Sequence, residues 1–280
     1  SPLAEHVLDH IAWLATPAAT ELSLVSVIET WRYATAGPEF ALADLITPVI
    51  AGMAEYLKTQ QTKLVQAGYH VTTHVVEGDA ANVLLSMAQT DGIDLIAMSS
   101  HGRSGFVRWA LGSVAERMLH GAQIPVFLVR ESTAPRQGKL QTILCPLDGS
   151  AVAEQALPEA QALALANNAH LLLTQVIQKL DDRSQGLLFT SEAAAKATFA
   201  KWRSEAETYL AGVAQRLTAA GVTTDVRVVV DDPDRAICAM SQHADLIVMG
   251  THGRTGVSRW VYGSVANKVL RGASCPLLLV

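Results

Sequence analysis

The chain has 280 residues, 17% of them charged, and a formal net charge of −5; that balance argues against a broad grip on nucleic acid or an anionic membrane, though a local basic patch could still hold a small anion. Half the residues are hydrophobic and only 5% aromatic, so the apolar mass of Ala, Leu and Val suits helices packed on a parallel sheet, and the length allows two ordinary domains. No apolar run reaches the ~18 residues of a membrane span, no secretory leader is visible, and Cys145, Cys238 and Cys275 stand far apart as small core residues of a reduced compartment, so a soluble cytoplasmic α/β protein is expected.

From the N-terminus, Ser1-Pro-Leu-Ala-Glu5 opens a helix. A strand is predicted at Leu22–Ile28, a helix near Pro38–Ala67, a strand at Tyr69–Val76 and a helix from about Ala80. Then come a strand at Asp94–Met98, a Gly-rich loop, a helix from Ser113 and a strand at Pro125–Val129. The polar stretch Arg130–Lys139 reads as a linker. It spans ~30 Å at most, so the flanking domains must lie side by side.

After the linker, the apolar run Thr142–Leu147 ends in Asp148-Gly149-Ser150, a turn that can cap a helix running to about Ala166. Leu171–Ile177 is the next strand, and a variable stretch, Gln178–Ser191, leads into an amphipathic helix over Glu192–Ala220 stopped by Gly221. Val222–Val230 is a strand broken by Asp231-Asp-Pro233. A helix at Asp234–Gln242, a strand at Asp245–Met249, a Gly-rich loop, a helix at Ser264–Arg271 and a strand at Pro276–Val280 complete the order. Strands alternating with helices imply right-handed crossovers and a parallel sheet covered on both faces.

The two halves are one unit written twice. Residues 99–129 align without a gap on residues 250–280, with sixteen of 31 positions identical. The period is far too long for a solenoid repeat and marks a duplicated domain: residues 1–130, a linker at 131–139, and residues 140–280. The first copy lacks one element, because a strand precedes Ser150 and none precedes Ser1. By comparison with its own second half, the chain starts inside the first domain. Unpaired backbone in the middle of a sheet is costly, so the slot between Leu22–Ile28 and Asp94–Met98 is expected to be filled, by a preceding segment or by a strand of another chain.

The chemistry concentrates in Gly250-Thr-His-Gly253-Arg-Thr-Gly-Val-Ser-Arg-Trp-Val-Tyr-Gly263-Ser264, which follows a strand and opens a helix. Such a loop lies on the edge where open α/β sheets bind ligands. Glycines let backbone amides approach an anion, a helix N-terminus presents free N–H groups, and Arg254, Arg259 and Ser264 add charge and a hydroxyl. This is the equipment of a phosphate cradle. The same residues also describe a plain helix cap with glycines for turns, and taken alone they leave both readings open.

The spacing G-x2-G-x9-G-[ST], met by Gly250, Gly253, Gly263 and Ser264, resembles the ATP-binding signature of the universal stress protein family. The strand ending in Pro146-Leu-Asp148-Gly-Ser150 resembles that family's opening. The resemblance covers both halves. It implies a five-stranded parallel sheet of order 3-2-1-4-5, adenine nucleotide alpha hydrolase-like, in each. It also implies an ATP site, with Mg2+ as an accompanying ion, formed by Pro146, Asp148, Val176, Met249, Gly250, His252, Gly253, Arg254, Gly263, Ser264 and Val265. Asp148 and the end of the second strand near Val176 would hold adenine and ribose; Gly253, Arg254, Gly263, Ser264 and Val265 would surround the phosphates. Family dimers pair their last strands antiparallel, which here could happen internally as a pseudo-dimer, Pro125–Val129 against Pro276–Val280, with a homodimer also allowed.

The first half departs from the pattern. Ser99 replaces the first glycine, and the strand that would carry the counterpart of Asp148 is absent, so one nucleotide per chain is expected, in the second half. Asp231 stands where the first half has Gly78, and its carboxylate could repel phosphate or help to hold a metal. His101 and His252 read as loop-shaping residues, and Trp109 and Trp260 as packing residues. Neither a G-x-G-x-x-G after a first strand nor a G-x4-G-K-[ST] is present. The expected function is an ATP-binding regulator of a stress response. Two alternatives remain: a slow ATP hydrolase, or a scaffold or apolar-ligand binder whose sites have decayed.

Overall fold

In the computed structural model, which describes residues 2–32, 42–100, 111–130, 138–180, 189, 191–251 and 263–280, strands form where short Val-, Leu- and Ile-rich runs are closed off by turn residues. The chain opens with α1 (Pro2–Glu5), a 3-10 turn at His6–His10 and α2 (Ile11–Leu14). By its contacts it divides into two units, residues 11–94 with 113–124, and residues 1–10 with 95–112 and 125–280.

In the smaller unit, β1 (Glu21–Ile28) and β2 (His70–Glu77) pair in parallel along their whole length, from Glu21 opposite His70 to Ile28 opposite Glu77. Parallel neighbours need a long crossover, and α3 (Leu42–Gln66) belongs to it. Two further helices, α4 (Ala80–Thr90) and α5 (Ser113–Gly121), are joined by a polar clasp. Asp79 caps α4 by accepting from the Asn82 N–H at 3.0 Å, and Arg117 of α5 donates to Asp79 at 2.7 Å and to Asn82 at 2.9 Å. Ile28, Ile46, Leu57, Leu64, Tyr69 and Met118 are buried here.

The larger unit is built on β3 (Ile96–Ser99), β4 (Val126–Val129), β5 (Thr142–Pro146), β6 (His170–Gln178), β7 (Thr224–Asp231), β8 (Leu246–Met249) and β9 (Leu277–Leu279). Their order is β3-β4-β9-β8-β5-β6-β7. The second repeat thus reads 3-2-1-4-5, as expected. Every neighbouring pair is parallel except β4 with β9, which run antiparallel with Val126 opposite Leu279, Phe127 opposite Leu278 and Leu128 opposite Leu277. The last strands of the two repeats therefore pair within one chain. In the first repeat β1 and β3 are not bonded to each other and belong to separate sheets.

Handedness places the helices of the second repeat. From β5 to β6 to β7 the chain steps one way across the sheet, so right-handed crossovers put α6 (Leu157–Asn167) and α7 (Glu192–Ala219) on one face. From β7 to β8 to β9 it steps back, which puts α8 (Pro233–Met240) and α9 (Ser264–Gly272) on the other face, where they pack together. With both faces covered, β4, β8 and β9 are buried throughout.

Several boundaries shift from the sequence reading. β7 begins at Thr224 because Val222 belongs to the end of α7: its N–H bonds the Leu217 carbonyl, Gly221 takes φ +91°, and the valine side chain is buried against the helix end. β7 also runs on through Asp231, and α8 starts on Pro233, which needs no N–H there. The last strand is trimmed to Leu277–Leu279. Cys145 and Cys275 are buried core residues and Cys238 is half-buried. Burial pushes the Cys145 thiol up to about 12, which leaves it inert as a nucleophile.

Candidate functional site

β5 and β8 lie side by side, with Ile143 opposite Leu246 and Leu144 opposite Ile247. β5 hands the chain on towards β6, and β8 hands it on towards β9, so the direction of winding reverses between them. A crevice opens at the carboxyl ends of the strands at such a point. Pro146 and Asp148 leave one strand there, Met249 and Gly250 the other.

The turn after β5 is self-supporting. The Leu147 N–H donates to the Thr174 carbonyl at 2.8 Å, and Gly149 takes φ +82°. One Asp148 oxygen accepts from the Ser150 N–H at 2.9 Å and from the Ser150 hydroxyl at 2.6 Å, and Ser150 in turn caps the following 3-10 turn by accepting from the Ala153 N–H at 3.1 Å. Asp148 is thereby held half-buried just past the end of β5. Val176, also half-buried, sits one strand over on β6.

On the other side, β9 pins the chain leaving β8. The Val280 N–H donates to Met249 at 3.1 Å and the Thr251 N–H to Val280 at 3.0 Å. The Thr251 carbonyl then accepts from the Gly263 N–H at 3.0 Å, closing the base of the loop whose residues His252, Gly253 and Arg254 lie outside the described residues. Gly263 is the cap residue of α9 and has no side chain with which to cap it. By contrast, Asp79 caps α4 and Ser191 caps α7. A side-chain-free cap leaves room for water or an anion at first-turn N–H groups, and here Ser264 is exposed beside them and Val265 half-buried.

The first repeat closes its loop with the same bonds, Ser100 N–H to Val129 at 2.8 Å and Gly112 N–H to Ser100 at 2.9 Å. Its Ser99 hydroxyl is buried and makes no hydrogen bond among the described residues.

Asp231, the carboxylate that could repel phosphate or help to hold a metal, has a cationic partner. Its side chain forms an ion pair with Arg235 and accepts from the Asp232 N–H at 2.8 Å. Arg235 first, with Lys179 nearby, holds the carboxyl below the usual carboxylate range. The described residues do not gather three or more metal-ligating side chains here or elsewhere. A shallow groove of about 520 Å³ lies against this pair, lined by Lys179, Lys196, Phe199 and Arg235 among others.

One cluster next to the site escaped sequence reasoning. Tyr209, midway along α7, donates to Glu154 at 2.9 Å, and Arg216 donates to the other Glu154 oxygen at 3.1 Å. Glu154 belongs to the 3-10 turn that follows Ser150, so α7 is tied to the element that carries Asp148. The duplication held the signal: Tyr56 and Tyr209 stand equally far upstream of Ala67-Gly68 and Ala220-Gly221, and Glu5 matches Glu154. Burial, followed by the Glu154 hydrogen bond and the charges of Glu154 and Asp148, raises the ionisation of the Tyr209 phenol above its ordinary value near 10. Below pH ~10 the bond contributes fully. Above it, the unfolded phenol loses a proton that the folded one keeps, so stability falls as pH rises. Tyr209→Phe should cost about 1 kcal/mol at pH 8 and should flatten the alkaline loss of stability. Urea midpoints at pH 8 and above pH 10 check both; an unchanged alkaline slope would count against this account.

Comparison with known proteins agrees with the fold. The model of the universal stress protein family matches residues 1–130 and 139–280. A universal stress protein of Mycobacterium tuberculosis is 30% identical over 193 residues, 66% of this chain and 61% of that protein, so the match spans less than two thirds of the relative's length. One of Staphylococcus haemolyticus is 34% identical over 145 residues, 50% of this chain and 84% of that protein. The crystal structure of a universal stress protein from Archaeoglobus fulgidus superposes with a TM-score of 0.68 at 20% identity, covering 98% of this chain and 90% of the other. A Pseudomonas aeruginosa protein of the same description reaches 0.61 at 18% identity, covering 92% of each. These two likenesses bear on the fold alone. With both of its repeats matched, the chain belongs to the universal stress protein family.

Proposed function

We propose that the second repeat binds one adenine nucleotide, ATP, at the crevice between the ends of β5 and β8, and that the protein acts as a nucleotide-binding regulator in a stress response. The observation that carries this reading is the start of α9. It is a nine-residue helix at the winding reversal, and its cap is Gly263, which has no side chain of its own to take up the first-turn donors. A phosphate chain would take those N–H groups and the Ser264 hydroxyl, with Gly253 and Arg254 of the signature closing over it. Pro146, Asp148, Val176 and Met249 would hold the nucleoside: the carboxylate accepts from sugar hydroxyls, and the half-buried Val176 offers an apolar surface to the base. Mg2+ fits as an ion carried by the phosphates themselves, since magnesium keeps its waters and takes few protein ligands. Paired with Arg235, Asp231 would repel an anion less than a lone carboxylate would.

Calorimetry with ATP tests the reading. The expected result is close to one nucleotide per chain, because the first repeat has Ser99 in place of the first glycine of the signature. Two equivalent sites, or no heat at millimolar ATP, would overturn it. A phosphate-release assay on the same samples separates a regulator from a slow hydrolase.

A further inference from the structure

Among the described residues, β7 ends the seven-stranded sheet and is bonded to β6 alone. The Leu171 N–H donates to Thr223 and the Lys179 N–H to Asp231, while the Thr174 hydroxyl donates to the Arg227 carbonyl. Odd-numbered residues of this strand therefore turn their backbone towards β6. In a parallel ladder the alternate residues face the other way, so Thr224, Val226, Val228 and Val230 present N–H and C=O groups outward. This edge is eight residues long and contains no proline, and Val226 is 43% exposed. Edges are normally blunted by charge, proline or a bulge. Here the charges are Asp225 and Arg227, both exposed, of opposite sign and two residues apart.

We propose that this edge joins two copies of the chain, β7 to β7, antiparallel about a twofold axis at Val226. In that register Val226 faces itself as a hydrogen-bonded pair and Thr224 faces Val228 of the second copy. Asp225 faces Arg227 of the second copy, and Arg227 faces its Asp225, in the closer non-hydrogen-bonded pairs. The neighbouring registers are penalised by charge. A twofold at Arg227 sets that residue against itself, and a twofold at Val228 sets Asp225 against the second copy's Asp231. Of the registers centred on Val226, Arg227 and Val228, the edge is self-complementary only in the first, as an isologous interface requires.

Space on the helix side agrees. A groove of about 610 Å³ runs beside Val226, lined by the small side chains Ala211, Ala214 and Ala219 of α7, with Thr218 and Gln215. The second copy's Val226 and Thr224 project over this face and would fill it. On the opposite face Asp225 already meets His170 at 3.1 Å on β6, and the second copy's Arg227 reaches it from the outer side.

Sedimentation of the full chain tests the proposal at up to about 100 µM, since a homodimer's population follows protomer concentration. A dimer is expected. Asp225→Arg or Arg227→Asp alone turns two symmetry-related pairs from opposite to like charge and should raise the dissociation constant about tenfold. The two changes together should restore it to within about threefold. Val226→Pro should abolish the dimer without lowering the urea midpoint, because the N–H it removes points away from β6. If that variant fails to fold, the charge exchange still decides. A monomer at the highest concentration, a dimer indifferent to the single charge changes, or no rescue by the double exchange would each overturn the proposal.

Discussion

Gly263→Val should raise the dissociation constant for ATP at least about a hundredfold while leaving the fold intact. Gly263 has φ −53° and ψ 143°, a conformation that valine adopts readily. Its N–H to the Thr251 carbonyl needs no glycine, and neither does the bond from the Asn267 N–H to its own carbonyl. Exchanging one side-chain-free cap for a poor cap costs at most about 1 kcal/mol of helix stability. What valine adds is a Cβ and two methyls at the mouth of α9, in the space a phosphate needs to reach the first-turn amides. Calorimetry together with a urea midpoint separates the two effects. Binding retained within about threefold of wild type would show that the phosphates lie elsewhere.

Phe127→Ala should cost ~3–5 kcal/mol, a large share of the ~5–15 kcal/mol that holds a domain together. Phe127 is fully buried, stands opposite Leu278 in the antiparallel seam, and has the His10 ring 6.1 Å away, tilted by 52°. Removing the ring empties the layer where the last strands of the two repeats meet, and four buried residues of β4 leave little freedom to collapse. Leu165→Ala is the matching control. That leucine is 46% exposed and should lose well under 1 kcal/mol. Urea unfolding of both variants decides the matter, and a Phe127→Ala loss below about 1 kcal/mol would mean that the seam is not a structural core.

Much of the molecule was legible in the amino-acid order because its information is local or repeated. The strands Val126–Val129, Leu246–Met249 and Leu277–Leu279 read as continuous apolar runs because a parallel sheet is covered on both faces. The duplication was visible as identical residues, and the short linker already confined the two last strands to each other's neighbourhood. The glycine spacing from Gly250 to Ser264 marked the segment between β8 and α9, and a loop leaving a parallel strand has only one sheet edge to occupy.

Tertiary structure decided what depends on elements distant in the chain. The bond from Tyr209 to Glu154 joins residues whose meeting depends on how α7 settles on the sheet, which no periodicity encodes. That α9 lacks a side-chain cap followed from Ser264 falling inside the helix, one residue past the capping position. The outward aim of Val226 emerged only from the bonds between β6 and β7, because strand alternation reveals two faces but never which edge is left unpaired.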